Sequence, residues 1–495
     1  MAISDIITVA PKRNKFNLSH SRKSTIQDFG ILYPILCQPV IPGDVWRHSH
    51  QNFLQFMPMA SAVLHDFHVK TYFFFVANRD IYDDWDDFIS KNPNQYQTPP
   101  VQPYMQFRDL FNRGTGHEYT APGSLADYLG IPVFKAGTAT YASWDTSTDF
   151  KINTLPFRAY QKIWYDYFRD EQVLSSVAEE CSTVGGGEAV ADLPKLCALR
   201  SKCWNKNPLT TSIAARTLHG YVPSLSGTFT IEDFRNASAL TRFHERMARS
   251  GQRPMEFTYS SFGVKPEAYR LGMPELLSAS DSHVIMGNVY ASDRSAASPT
   301  SGTSQGYSVA TARSSSVAGG FKYRAKDHGW IIGLMCLEPA NVYSQGLPHM
   351  FRVLDNMDYF WPDFESLGDQ AIENSEIHFT QVPATDSGQN ALNKAVHSYA
   401  PRYHDLKFIP STIHGLFKDS SYNTYTDARF PATLPARTTG AYAYINGADT
   451  GRVCTDPNNL KRIFSMTSGE PIAIFDIYHK IDALRPMHYN SVPRI

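Results

Sequence analysis

The sequence predicts a mainly β fold carrying long loop and helix insertions, and three observations point to it. Aromatic residues make up 13% of the chain, with 27 Tyr and 30 Phe, and aromatics favour pleated, partly buried surfaces. Strand-like runs stand towards both ends of the chain, at His68–Ala77 and at 472–481. The 30 glycines and 31 prolines are spread over the whole length, which leaves little room for long uninterrupted helices.

Taken in order, residues 1–25 hold Lys12, Arg13, Lys15, Arg22 and Lys23 against the single Asp5. They read as a basic N-terminal arm, mobile unless something binds it. From Thr25 to Ala77 strands alternate with turns: 30–40 is apolar with Pro34 and Pro39, and 41–43 is a turn. Residues 68–77 are β-branched and aromatic with almost no polar relief, the pattern of a strand covered on both faces. The period then changes. Ile81, Trp85 and Phe88 fall on one helical face, with Asp80, Asp83 and Asp84 in the first turns, where the helix dipole favours anions.

The stretch 91–104 has too many prolines for helix or central strand. Leu125–Leu129 reads as a short helical turn closed by Gly130 and Pro132. The clearest helix is 155–172, with Tyr160, Ile163, Trp164, Tyr167 and Phe168 as its apolar stripe and Arg158, Lys162, Asp166 and Arg169 off it. Gly185–Gly187 marks a surface loop, and 231–250 a second helix with Arg242, Arg246 and Arg249 on one face. Residues 290–320 are rich in Ser, Ala, Gly and Thr and read as a flexible loop. Strand character returns at 330–337, 377–383 and 472–481; in the last, Ala473, Phe475, Ile477 and Ile481 share a face. The organisation expected is an arm over 1–25 and one domain over 26–495, insertion-rich over about 90–320. Loops this long are uncommon unless functional or packed on something else, so burial against neighbouring copies is expected.

At 495 residues, with 42% hydrophobic and 19% charged residues, the chain can build a sizeable core. The formal charge of −1 excludes a globally basic nucleic-acid coat and suits a protein that associates with itself. Six cysteines without a CxxC pair, and no signal-like N-terminus, read as reduced thiols in a cytoplasm. No apolar run approaches the ~18 residues that a membrane span needs.

Catalytic patterns are missing. Asp83, Asp84, Asp86 and Asp87 are adjacent at a helix start and splay around it, so a surface role fits better than acid–base work. His48/His50 and His65/His68 have spacings a metal could use, yet no third ligand stands nearby. HExxH, GxSxG, Walker A and GxGxxG are absent. No catalytic, metal or cofactor site is expected. Lys12, Arg13, Lys15, Arg22 and Lys23 remain as candidate nucleic-acid contacts, with Phe16 as a stacking ring; the arginine face of 231–250 is a weaker candidate.

Several segments then match a known family in order: SHSRKSTIQDFGILYPI, VIPGDVW, FFFVANRDIYDDWDDF, GSLADYLGIP, LPFRAYQKIWYDYFRDEQ, FHERMARSGQRPMEFTYSSFGV, YRLGMPELL, DHGWIIGLM, YSQGLPHMF, DYFWPDFESLGDQAIENSEI and RYHDLKFIPSTIHGLF. The chain resembles the major capsid proteins of microviruses, in particular the gokushovirus-like branch. The resemblance implies an eight-stranded viral jelly roll of two antiparallel sheets, forming a T=1 icosahedral shell around circular single-stranded DNA. It implies as partners further copies of the chain, the genome, a small basic DNA-binding protein and an internal scaffolding protein. The place implied is the virion, after assembly in the host bacterial cytoplasm. Two departures stand out. The short distance between Asn205–Thr211 and Phe229–Gly251 leaves no room for the family's large threefold insertion, which implies a smoother surface, and the C-terminus lacks the usual Gly-Leu. Two other readings are a β-sandwich carbohydrate-active enzyme, for which no carboxylate pair presents itself, and a phage adhesin, which more often shows repeats.

Overall fold

A computed structural model describes residues 13–85, 88, 101–106, 122–132, 151–169, 272–290, 308–379, 393–394, 396–418, 422–428, 457–465, 470–487 and 489. Its strands are, first, β1 (Asn14–Asn17), β2 (His20–Ile26), β3 (Tyr33–Val40), β4 (Val45–Phe56) and β5 (Phe67–Ala77). There follow β6 (Tyr104–Gln106), β7 (Lys151–Asn153), β8 (Glu275–Tyr290), β9 (Ser308–Arg324) and β10 (Gly329–Pro339). The last are β11 (Val342–Tyr343), β12 (Asp369–Glu373), β13 (Val396–Pro401), β14 (Ser411–Thr412) and β15 (Ala473–Arg485). No helix among these residues is long and apolar enough to cross a membrane.

One antiparallel sheet dominates. Its order is β1-β15-β4-β9-β8-β5-β10-β3, with β2 also on β15. The first and last long strands of the chain are therefore partners: β2 pairs with Ala473–His479 and β1 with Asp482–Arg485. One half of the sheet is β2-β15-β4-β9 and the other β8-β5-β10-β3. This is the long-range pairing of a jelly roll, in which successive strands pass between two layers. Among the described residues the sheet has nine strands, not eight, because its edge is broken into β1 and β2. The halves are joined where β8 meets β9 (Ile285 opposite Arg313), so they form one curled sheet and not two separate ones.

The curl closes on itself across a core. Ile26, Trp46, Phe67, Phe73, Phe475, Ile477 and Ile481 are all fully buried there. Polar bridges tie the two layers: His479 Nε2 lies 3.1 Å from the Ile35 carbonyl, and the Arg485 guanidinium donates to the Pro39 carbonyl at 3.2 Å. Gly333 marks a close approach, since a Cβ there would stand 2.7 Å from the Phe73 ring.

A second core lies on the back of β3, β10 and β5. Helix α1 (Leu125–Leu129) begins at Ser124, whose side chain accepts from the Asp127 amide, and ends at Gly130 with φ of 100°. Helix α2 (Leu155–Ile163) runs into a π-helical turn, Trp164–Phe168. The helical stripe is as expected: Tyr160, Ile163 and Trp164 pack on Phe74, Val76, Ile332 and Leu334, joined by Ile81, Tyr82 and Trp85. Arg158 departs from the sequence reading. It is 1% exposed, and its guanidinium donates to the Ile81 carbonyl at 3.0 Å. A cation at that helical position is used to satisfy the backbone where β5 ends.

Three other expectations are corrected. The basic arm over 1–25 is not free from Asn14 onwards, because β1 and β2 are paired with β15. The loop expected over 290–320 is in its second part strand β9, since small residues fit where β4 and β8 flank both edges. The strand expected at 377–383 begins instead as the end of a short helix, Asn374–Ile377. The 231–250 helix, the glycines at 185–187 and residues 170–172 of the long helix lie outside the described residues.

Candidate nucleic-acid interface

Strands β2, β15, β4 and β9 have one covered face and one open face, and strict alternation sorts their side chains between the two. The burial pattern of β15 alternates along its length, and that of β4 does the same. Opposed residues in adjacent strands share a face. One row across the open face is therefore Lys23, Asp476, Phe53 and Ser315; a second is Asp482, Arg47 and Lys322; a third is Lys15, Leu484, Val45 and Arg324. Lys480 and Arg313 stand on the same face, opposite Ser49 and Gln55.

Seven exposed cations (Lys15, Lys23, Arg47, Arg313, Lys322, Arg324 and Lys480) thus face two half-buried carboxylates, Asp476 and Asp482. One pair is formed, Lys15 Nζ to Asp482 at 3.0 Å; an exposed bridge of this kind is worth little and leaves the lysine available. Phe53, Ile474 and Tyr478 stand among these charges with 42–47% of their surface exposed. Cations interleaved with exposed rings suit a flexible polyanion with stacking bases.

The sequence candidates divide on this geometry. Lys15 and Lys23 lie on the open face, and Arg13 is exposed just before β1. Arg22 points the other way, where its guanidinium donates to the Tyr128 carbonyl and pins α1 to β2. Phe16 is turned from Lys15 and is stacked on Tyr489 at 5.2 Å, so it is not a free stacking ring. Lys12 lies outside the described residues, as do Arg242, Arg246 and Arg249. Sequence reasoning missed Arg47, Phe53, Tyr478 and Lys480, although the alternation of β4 and β15 carries them openly. It missed Arg313, Lys322 and Arg324 because their strand has a loop-like composition.

The inner face of the same strands is dry and holds the histidines. His479 donates from Nε2 to Ile35, so its Nδ1 is the acceptor for His48 Nε2 at 3.0 Å. His48 Nδ1 is then buried without a partner; His50 Nε2 meets Thr71 Oγ1 at 3.3 Å, and the ring also has the Gly319 backbone beside it. Burial pushes all three rings towards the neutral form, His48 to about 2, His479 to about 3 and His50 to about 4. His65 bonds the Ala340 carbonyl at 3.0 Å, and His68 stands 3.1 Å from Asp281. The spacings that suggested a metal place His48 and His50 in the core and give His65 and His68 hydrogen bonds to distant segments. Asp83 and Asp84 are exposed at the turn before Trp85, and Asp86 and Asp87 lie outside the described residues. Cys37 and Cys336 are thiols outside any disulfide; Cys336 Sγ donates to Glu338 Oε1 at 3.5 Å, and burial raises Cys37 to about 12.

Comparison with known proteins gives the setting for this face. A family described as capsid protein (F protein) matches residues 4–219 and 220–495. The capsid protein VP1 of Bdellovibrio phage phiMH2K is 26% identical, with 85% of each chain covered. The capsid protein VP1 of Chlamydia phage 1 is 24% identical, with 99% of this chain and 97% of the relative covered. That alignment runs over 616 positions against 495 residues here, so the relative carries segments with no counterpart in this chain. The capsid protein VP1 of Spiroplasma virus 4 is 22% identical over 82% of this chain.

Proposed function

Since the chain belongs to the capsid protein (F protein) family and is a gokushovirus-like major capsid protein, we propose that its copies close into a T=1 icosahedral shell around a circular single-stranded DNA genome. The family is structural and not enzymatic, and membership implies self-assembly and a place in the virion. The family match over nearly the whole chain carries the reading, and the jelly-roll sheet supports it.

The open face of β2, β15, β4 and β9 is the genome side of the shell. Its cations follow the phosphate backbone and its exposed rings take unpaired bases. Of the five sequence candidates, Arg13, Lys15 and Lys23 serve this role, and Arg22 has a structural task. A net charge of −1 leaves most of the genome's charge to a small basic DNA-binding protein, and an internal scaffolding protein guides assembly in the host bacterial cytoplasm. The chain's shortness against Chlamydia phage 1 supports a threefold surface without large protrusions.

The test is co-expression with the phage's scaffolding protein, followed by electron microscopy and nuclease protection. Uniform closed shells of 60 subunits holding nuclease-resistant single-stranded DNA are expected for a T=1 particle; persistent monomers would overturn the reading.

A further inference from the structure

We propose that Arg47, Lys322 and Arg324 form an anchor for the phosphodiester backbone of single-stranded nucleic acid, brought together by a bulge in β9. The inference rests on the open face of β2, β15, β4 and β9 being the genome side, and it names the part of that face that grips.

The bulge decides where the cations of β9 point. Before it, Gln55 of β4 stands opposite Arg313, Phe53 opposite Ser315 and His50 opposite Ala318. Beyond it, His48 stands opposite Phe321, Arg47 opposite Lys322 and Val45 opposite Arg324. Two steps along β4 are thus matched by three along β9, which carries one extra residue. Side chains alternate with a period of two, so a single extra residue exchanges the faces. Arg313 and Ser315 share the open face with Phe53; past the bulge it is the even-numbered Lys322 and Arg324 that share it with Arg47. Without the extra residue those two cations would turn into the core. Phe321 and Tyr323 take that side instead, Phe321 packed on His48 at 4.9 Å and Tyr323 on Phe75 at 5.0 Å. Gly320 allows the close approach, since a Cβ there would collide with the His48 carbonyl.

The result is a concentration of like charge. Arg47 and Lys322 are directly opposed, with Cβ atoms about 5 Å apart, and Arg324 follows Lys322 by two residues, about 7 Å along the strand. All three are exposed. Like charges facing each other weaken a sheet, yet none of the three has an ion pair among the described residues. Asp482, the carboxylate on the other side of Arg47, is held by Lys15 at 3.0 Å. The remaining cations stand apart, Lys23 opposite Asp476, Arg313 opposite Gln55 and Lys480 opposite Ser49.

Adjacent cations without a counter-charge receive an oxyanion. Arginine offers a planar fork that matches two phosphate oxygens, and lysine a compact charge beside it. What lies further along the face selects a polymer. Tyr478, opposite Gln51, is roughly 13 Å from Arg47 along the strand direction and Phe53 roughly 20 Å, and both rings are exposed. A backbone gripped at the anchor leads its unpaired bases towards these rings; a free phosphate would use the anchor alone.

The experiment uses the full chain and a fluorescent single-stranded oligonucleotide of mixed sequence. R47Q/K322Q/R324Q is compared with K23Q/R313Q/K480Q; each removes three exposed charges from the same face. The first is expected to weaken binding at least tenfold and the second no more than threefold, with neither melting below the wild type. Lysine acetylation of the wild-type chain supplies a readout without substitution: the oligonucleotide is expected to protect Lys322 at least fivefold and Lys480 less than twofold. Equal losses in the two variants, or equal protection of the two lysines, would overturn the anchor and leave the genome face as a diffuse field. A wild-type chain that binds no oligonucleotide would remove the genome-face reading itself. Competitors test the ligand class. An abasic deoxyribose-phosphate oligomer is expected to displace the probe, whereas inorganic phosphate at equal phosphate concentration and poly-glutamate of equal charge are not. Failure of the first, or displacement by either of the others, would overturn the phosphodiester assignment.

Discussion

Strands β5 and β15 sit in opposite halves of one sheet, and their backs differ. The back of β5 is covered: Phe74 and Val76 are buried under α2 and the Ile81–Trp85 turn, while Phe73 and Phe67 fill the front. The back of β15 is open, with Ile474, Tyr478 and Lys480 exposed opposite a fully buried Phe475, Ile477 and His479. The same jelly roll thus has one half clad by insertions and one half bare. Cladding turns a strand into a continuous apolar run; bareness leaves period-two alternation and a surface open to solvent.

The comparison breaks first under acid if the front of the bare half is not dry. His48, His50 and His479 have folded values below their unfolded value near 6.5. Their stabilisation is therefore full above about pH 6.5 and is lost as pH falls towards about 4, because the unfolded chain binds the protons first. Each contributes up to about 1.4 kcal/mol per pH unit, so several kcal/mol are expected to go by pH 4.5. Urea unfolding from pH 7.5 to 4.5 reads this, and H48F/H479L is expected to flatten the slope.

Substitution on the covered back comes next. Phe74→Ala is expected to cost about 3–5 kcal/mol and to lose particles through misfolding; a melting curve like that of wild type would mean that the cladding does not bury it. For the bare back, charge is the lever. If seven cations engage single-stranded DNA, the log–log salt slope of binding is near −5, about −0.7 per contact. Replacing Lys23, Arg47 and Lys322 by Gln is expected to reduce it by about 2, measured by fluorescence anisotropy on oligonucleotides. An unchanged slope would move the genome to another face. The smallest effect is Tyr478→Ala, within about 0.5 kcal/mol of wild type, since its exposed ring has little burial to lose.

Where the pattern is local the sequence was readable. The run 68–77, the alternation of 472–481, the turn at 41–43 and the close of α1 at Gly130 all rest on neighbours within a few residues, and each appears in the structure. Strand β9 was not readable, because Ser, Ala and Gly have weak β preference and became strand only through flanking partners. Arg158 was misread for a related reason: helical periodicity assigns a side but cannot see the Ile81 carbonyl 77 positions away.

By itself the sequence determined that this is a mainly β chain with its strongest strands far apart, a near-neutral charge and the ordered motifs of a capsid family. Tertiary structure alone decided that the basic N-terminal residues are an edge of the sheet beside β15, more than 450 residues away, and that Lys15 and Lys23 share a face with Arg47 and Lys322. Composition places cations along a chain; only long-range register, fixed by which face of each strand must be buried, gathers them on one surface.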